Sequence, residues 1–344
     1  MQLDRACGPD SVDLQATSTV SSMTSGRRAM ASNENGAFIL GLVVVIALLI
    51  GANYSVMQLA LRHTTPLILT GMRLAIGGTA LVTFCLWRGE KFPRDRHALL
   101  GIFGVSLCVT TLSSMTLVTG VSLVPAGVAA LLSSMVPVWT ALFAFLLLGE
   151  QLGRWGRIGV AVGLLGAIVL SSPAIEGETS LAGVAILAVS SVAWASGIVL
   201  LRHWDFGDVS TVMITTVQLL MSTVVVIPIA LFLEGLSDTD FGLPLALPVL
   251  YASVPALALT FVLMARVTLE ASATQAASVA YLTPVFGVIF AWTIRNNTLS
   301  GPEWTGGALL VLGVVLVTSA RSRPTEPTVT TAGAETAWPP GTMR

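Results

Sequence analysis

Between residues 37 and 320 the chain runs apolar ten times, each time for about the length that crosses a bilayer. A helix rises about 1.5 Å per residue, so roughly 20 apolar residues span a hydrocarbon layer about 30 Å thick. The runs are 37–60, 66–87, 98–118, 124–148, 157–172, 181–201, 210–233, 245–265, 272–294 and 302–320. Lipid offers no partner for a free N–H or C=O, so such runs must close their hydrogen bonds within themselves, as helices. Composition agrees: 54% of residues are hydrophobic and 10% charged, where a soluble surface needs roughly a quarter charged. The expected fold class is an all-α integral membrane protein of ten transmembrane helices. The fifth run is short, and Pro244, Pro248 and Pro255 crowd the eighth, so nine and eleven are the alternative counts.

Residues 1–34 and 321–344 are polar, rich in Ser, Thr, Ala and Pro, and are expected to be disordered tails. Met30 opens MASNENGAFIL, a second candidate start after Met1. With the amino terminus in the cytoplasm, 14 basic residues fall on the inner side: Arg5, Arg27, Arg28, Arg88, Lys91, Arg94, Arg96, Arg154, Arg157, Arg202, Arg266, Arg321, Arg323 and Arg344. Only Arg62 and Arg295 fall outside. That asymmetry orients the chain with both termini cytoplasmic, in the cell membrane.

Shifted by 147 residues, 126–166 aligns without gaps on 273–313. Pro137-Val138-Trp139 meets Pro284-Val285-Phe286, Gly159 meets Gly306, and Gly166 meets Gly313. The expected domains are therefore two related five-helix units, 35–172 and 181–320. Five is odd, so the second unit enters the membrane from the opposite side. Inverted repeats of this kind support alternating access to a site near the midplane.

These residues resemble a known family. Gly51-Ala52-Asn53 in the first run, Arg73 in the second, Pro137 to Ala144 leading to Gly149-Glu150, and the Gly159–Gly166 helix are similar to the EamA branch of the drug/metabolite transporter (DMT) superfamily. Trp194, Pro284-Val285-Phe286 and Gly306–Gly313 continue the likeness through the second half. The resemblance covers about residues 37–320 and implies five-plus-five helices and transport of amino acids, other metabolites or drugs, mostly outward. Two positions depart from the pattern: Ile50 stands where members often carry tryptophan, and Asn297 stands where a second glutamate would match Glu150.

Polar residues inside apolar runs are the candidate substrate contacts. Arg73 is the one charge well within a run; it either snorkels outward as an anchor or meets substrate. Asn53, Tyr54 and Gln218 are further candidates, and a shift of 145 places Gln218 opposite Arg73. Ser134 and Tyr281 each precede a repeat-related proline by three residues, and Gln275 lies nearby. Trp194 could stack on an aromatic solute or simply pack. Pro137, Pro284 and Glu150 are structural or gating candidates; Glu150 precedes Arg154 by four residues, an orientation that suits a helical ion pair.

No G-x-x-x-x-G-K-[ST] occurs, so energy must come from a gradient or a partner. Cys7, Cys85 and Cys108 form no C-x-x-C, and His63, His97 and His203 show no metal-ligand spacing. No metal, cofactor or nucleic-acid partner is expected; the partners are a lipid bilayer and a small-molecule substrate, the state monomer or homodimer. The leading function is a secondary exporter of a small metabolite or drug-like molecule. A non-transporting sensor or partner protein and a membrane-embedded lipid-modifying enzyme are the alternatives.

Overall fold

The computed structural model describes residues 38–148, 152–177, 179–270 and 273–321. Residues 1–34, Glu150 and the final tail beyond Arg321 lie outside the described residues. Every regular element among the described residues is helical. In chain order these are α1 (Phe38–Ala60), α2 (Pro66–Trp87), α3 (Arg96–Leu123), α4 (Ala126–Ser133 continuing as Val136–Leu148) and α5 (Arg154–Leu170, followed by the short turn Ser172–Ile175). Then come α6 (Leu181–His203), α7 (Thr211–Leu233), α8 (Leu243–Ser253 through Thr260–Glu270), α9 (Ala273–Arg295) and α10 (Gly301–Arg321). Among the described residues, nine of these are long and apolar enough to cross a membrane; the other, α5, has 17 residues. The protein is a multi-pass membrane protein, and its exposed side chains fit lipid: Leu86, Leu146, Ile168, Phe232 and Leu247 all lie open on the bundle surface.

Helix ends are set by local chemistry. Asp95, Ser180 and Ser210 each accept from the N–H three residues on, capping α3, α6 and α7. α3 runs on to Leu123, and along its last turns Thr116, Thr119 and Ser122 return their hydroxyls to carbonyls of the preceding turn. The prolines of α8 do not break it. Pro244 sits in its first turn, and Pro255 falls where the hydrogen bonding widens to a π-helix over Val254–Leu259. α3 carries a second π-helix, Leu107–Leu112. Each boundary of the later π-helix lies 147 residues after that of the earlier one.

Glycine decides the closest packing. A Cβ on Gly166 would stand 2.4 Å from the Leu310 nitrogen and 2.9 Å from the Gly306 carbonyl oxygen. One on Gly313 would stand 2.4 Å from the Gly163 nitrogen and 2.8 Å from the Gly159 oxygen. α5 and α10 therefore touch backbone to backbone. α2 and α7 form a second close pair through Gly71 against Ile227 and Gly78 against Leu219. The α2–α7 pair rests on α3 and α8, the α5–α10 pair on α4 and α9, and α6 spans α3 and α4. α1 meets α9 where Gly51 abuts Phe286 and Gly287, and α8 where Tyr251 donates to the Leu49 carbonyl at 3.1 Å.

Candidate functional site

The bundle has two polar ends. At one, Gln58 at the close of α1 donates to the Val121 and Val124 carbonyls at 3.1 and 2.7 Å and accepts from Arg295 Nε at 3.2 Å. This joins α1, the α3–α4 connection and α9, and it forms the wall of a hollow of about 470 Å³ that also includes Pro125, Ser180 and Asn297. At the same end the Glu234 carboxylate accepts from Leu67 and Ile68 N–H at 2.8 and 3.2 Å, capping α2. Thr64 shares a hydrogen bond with Thr239, and Asp240 N–H donates to the His63 carbonyl. At the opposite end Ser210 donates to Glu90, and Trp204 stacks on His97 and donates to its carbonyl at 3.2 Å. The α2–α7 pair is thus tied at both ends.

Between the ends, polar side chains gather at one level. Asn53, Arg73 and Ser133 each lie seven residues from the Gln58-end terminus of their helix: Ala60, Pro66 and Ala126. At 1.5 Å per residue that is about 10 Å into the bundle. Leu69, Arg73 and Gly77 follow one another at four-residue spacing, so they share a face of α2. Leu69 belongs to the core cluster containing Tyr54 and Met57, and Gly77 abuts Leu257 and the Ser253 carbonyl of α8. Arg73 is 5% exposed, Asn53 and Tyr54 6%. Arg73 and Ser133 both lie near the Tyr54 side chain. Arg73 therefore does not snorkel into lipid; it stays among the helices.

α4 breaks at this level. Ser134 and Met135 form a turn between its two segments, because Pro137 supplies no N–H to the Ser133 carbonyl. Ser134 donates to Leu131 O at 2.6 Å, so its hydroxyl is used inside the turn. The repeat-related Pro284 lies inside a continuous α9, and Tyr281 shares a 2.5 Å hydrogen bond with Ser278. The same Pro-Val motif thus produces a break in one half and none in the other.

The other candidates stand apart. Gln218 is buried, but it lies seven residues from the opposite end of α7, at Thr211. Gly78, not Arg73, meets the Leu219–Leu220 stretch beside it. Its carbonyl receives Thr110 at 3.4 Å in a hydroxyl cluster linking α3 and α7: Thr110 bonds Ser222, and Thr111 donates to Ser222 at 2.9 Å. Trp194 stacks on Phe261 of α8, with centroids 6.4 Å apart and planes within 2° of parallel. Gln275 is half-buried at the beginning of α9, far along the bundle from Arg73. Three features escaped the sequence: Ser133, the Gln58 junction and the two π-helices. Ser133 and Gln58 carried a signal, since both are polar residues in apolar runs; the π-helices carried only Pro255 in one and Thr110-Thr111 in the other.

Comparison with known proteins gives a consistent picture. The model of the EamA-like transporter family matches residues 37–172 and 181–319. The uncharacterized inner membrane transporter YedA of Escherichia coli strain K12 is 28% identical over 289 residues, covering 81% of this chain and 90% of that protein. The uncharacterized transporter YvbV of Bacillus subtilis is 25% identical over 276 residues, covering 80% and 90%. A probable amino-acid metabolite efflux pump of Salmonella typhimurium is 22% identical, covering 83% and 95%. One crystal structure shares the fold at a TM-score of 0.57 and 21% identity, covering 82% of this chain and 97% of that one.

Proposed function

Because the chain belongs to the EamA-like transporter family, we propose that it is a secondary exporter of a small metabolite, an amino acid or related compound, or a drug-like molecule. It works by alternating access between two inverted five-helix units, 35–172 and 181–320. The contact between α5 and α10 carries this reading. Gly159 and Gly306 are repeat partners, as are Gly166 and Gly313. Gly159 meets Gly313, while Gly166 meets Gly306. When i touches the copy of j and j touches the copy of i, the two surfaces are related by a two-fold axis. The paired π-helices at a 147-residue offset support the same axis.

An axis lying in the membrane plane makes the halves inverted, with α5 as a tenth span. Its 17 residues lie at the lower limit of known spans. The basic-residue asymmetry supports an orientation with the Gln58 end outside and both termini in the cytoplasm. The level of Arg73 is then the substrate level, closed on the outer side by the Gln58 junction. The name of the Salmonella relative, a probable amino-acid metabolite efflux pump, supports outward movement of metabolites.

The test is deletion and overproduction of the protein in its host, with metabolite profiling of cells and medium. The expected result is a solute that accumulates in the medium on overproduction and in the cell on deletion. Unchanged profiles, with unchanged tolerance to amino-acid analogues and drugs, would contradict export.

A further inference from the structure

The level of Arg73 holds more hydrogen-bonding capacity than the protein uses. Arg73 Nε is buried without a partner, and no ion pair or hydrogen bond joins this side chain to another described residue. Asn53 Oδ1 is also buried and unpartnered, and Ser133 Oγ, equally buried, has only the Tyr54 side chain beside it. Buried polar atoms are nearly always satisfied, and a buried charge left alone is among the least favourable arrangements in a protein. Here three such atoms come from three helices at one depth, beside the break in α4. Broken helices with unpaired polar groups at membrane depth are where transporters hold solutes.

The chemistry of the set narrows the solute. Arg73 offers fixed N–H donors and a permanent positive charge, a geometry matched to a carboxylate. Ser133 can donate its hydroxyl to the second carboxylate oxygen. Asn53 Oδ1 accepts, so it requires an N–H or O–H on the solute. Its amide nitrogen is directed to Met57 Sδ at 3.9 Å.

We infer that Arg73, Ser133 and Asn53 form a carboxylate subsite, selecting small acids that carry an amine or hydroxyl next to the carboxylate. The inference rests on the transporter reading for its biological meaning, but binding tests it separately from flux.

The experiment uses the full chain in lipid nanodiscs and reads the shift in melting temperature with matched probes: leucine against leucinamide, and 2-hydroxy-4-methylpentanoate against its amide. The carboxylates are expected to raise the melting temperature and the amides to leave it unchanged. Arg73→Gln should weaken carboxylate binding about ten- to a hundredfold, as expected for loss of a charge-assisted pair. Arg73→Lys should recover part of it, and Ser133→Ala should weaken it severalfold.

Equal response to acid and amide, no response to any probe, or carboxylate preference surviving in Arg73→Gln would overturn the subsite. If Arg73→Gln fails to fold, the wild-type acid–amide comparison and Ser133→Ala decide. Carboxylate-selective binding without any protein-dependent flux would keep the subsite and remove the transporter reading. Flux indifferent to the carboxylate would do the reverse.

Discussion

Replacing Gly166 with alanine should separate α5 from α10. The added Cβ would lie 2.4 Å from the Leu310 nitrogen, about 1 Å short of the roughly 3.5 Å at which non-bonded heavy atoms rest. The atom in the way is backbone, so no side-chain rotation relieves the clash, and the helices must move apart by about that amount. A radial gap near 1 Å forfeits roughly a quarter to a half of each dispersion contact. If the interface holds about as many atom pairs as one buried leucine, on the order of 50 at about 0.15 kcal/mol each, the loss is about 2–4 kcal/mol. That agrees with the cost of overpacking, about 1–3 kcal/mol or somewhat more.

The control is Gly41→Ala in α1, where a Cβ meets nothing within 4 Å. There alanine should stabilise the helix by about 0.5–1 kcal/mol. Melting of the purified protein in one detergent is the assay, with Gly166→Ala lower than wild type by several degrees and Gly41→Ala equal or higher. Gly313→Ala, its repeat partner, should match Gly166→Ala. Equal melting of Gly166→Ala and Gly41→Ala would refute the backbone contact and the two-fold argument built on it.

Three other outcomes follow from the same contacts. Gln58→Leu removes the two bonds to Val121 and Val124 and the one from Arg295; labelling of an added Ser133→Cys, whose parent hydroxyl is buried behind the junction, by an impermeant maleimide from the Gln58 end should rise severalfold, and unchanged labelling would mean that the junction closes nothing. Ser222→Ala leaves the buried Thr111 hydroxyl without its acceptor and should cost about 1–3 kcal/mol of stability. Thr223→Ala, whose hydroxyl returns to its own helix at Leu219, should cost less in the same melting assay. Glu234→Gln keeps the shape of the α2 cap but removes its charge, lowering stability by about 0.5–2 kcal/mol, again read by melting.

The helices were legible because lipid makes hydrophobicity a direct report of secondary structure. All ten apolar runs correspond to helices; of the three prolines of the eighth run, Pro244 falls in the first turn and Pro255 in the π-helix, while Pro248 is carried inside the helix. The missing terminal residues of α3 show the limit: a Thr-Ser stretch looks polar in sequence, yet its hydroxyls bond back to the helix. The candidate site was half legible. Arg73, Asn53 and Tyr54 stood out as polar residues in apolar runs, and they share a level. Ser133 did not stand out from Ser134, because which of the two hydroxyls is taken up inside the turn depends on the break that Pro137 causes, and Pro284 causes none. Gln218 matches Arg73 in register, each seven residues into its helix, but α2 and α7 run in opposite directions, so equal depth along the chain places the two toward opposite ends of the pair.

Two-sided accessibility of Ser133 tests the account most directly. In a chain with Cys7, Cys85 and Cys108 replaced, Ser133→Cys is probed with an impermeant thiol reagent in right-side-out and inside-out vesicles. Alternating access predicts reaction from both sides, with Gln58→Leu increasing the rate from outside and decreasing it from inside. Reaction from one side only, whatever the state of the Gln58 junction, would contradict it.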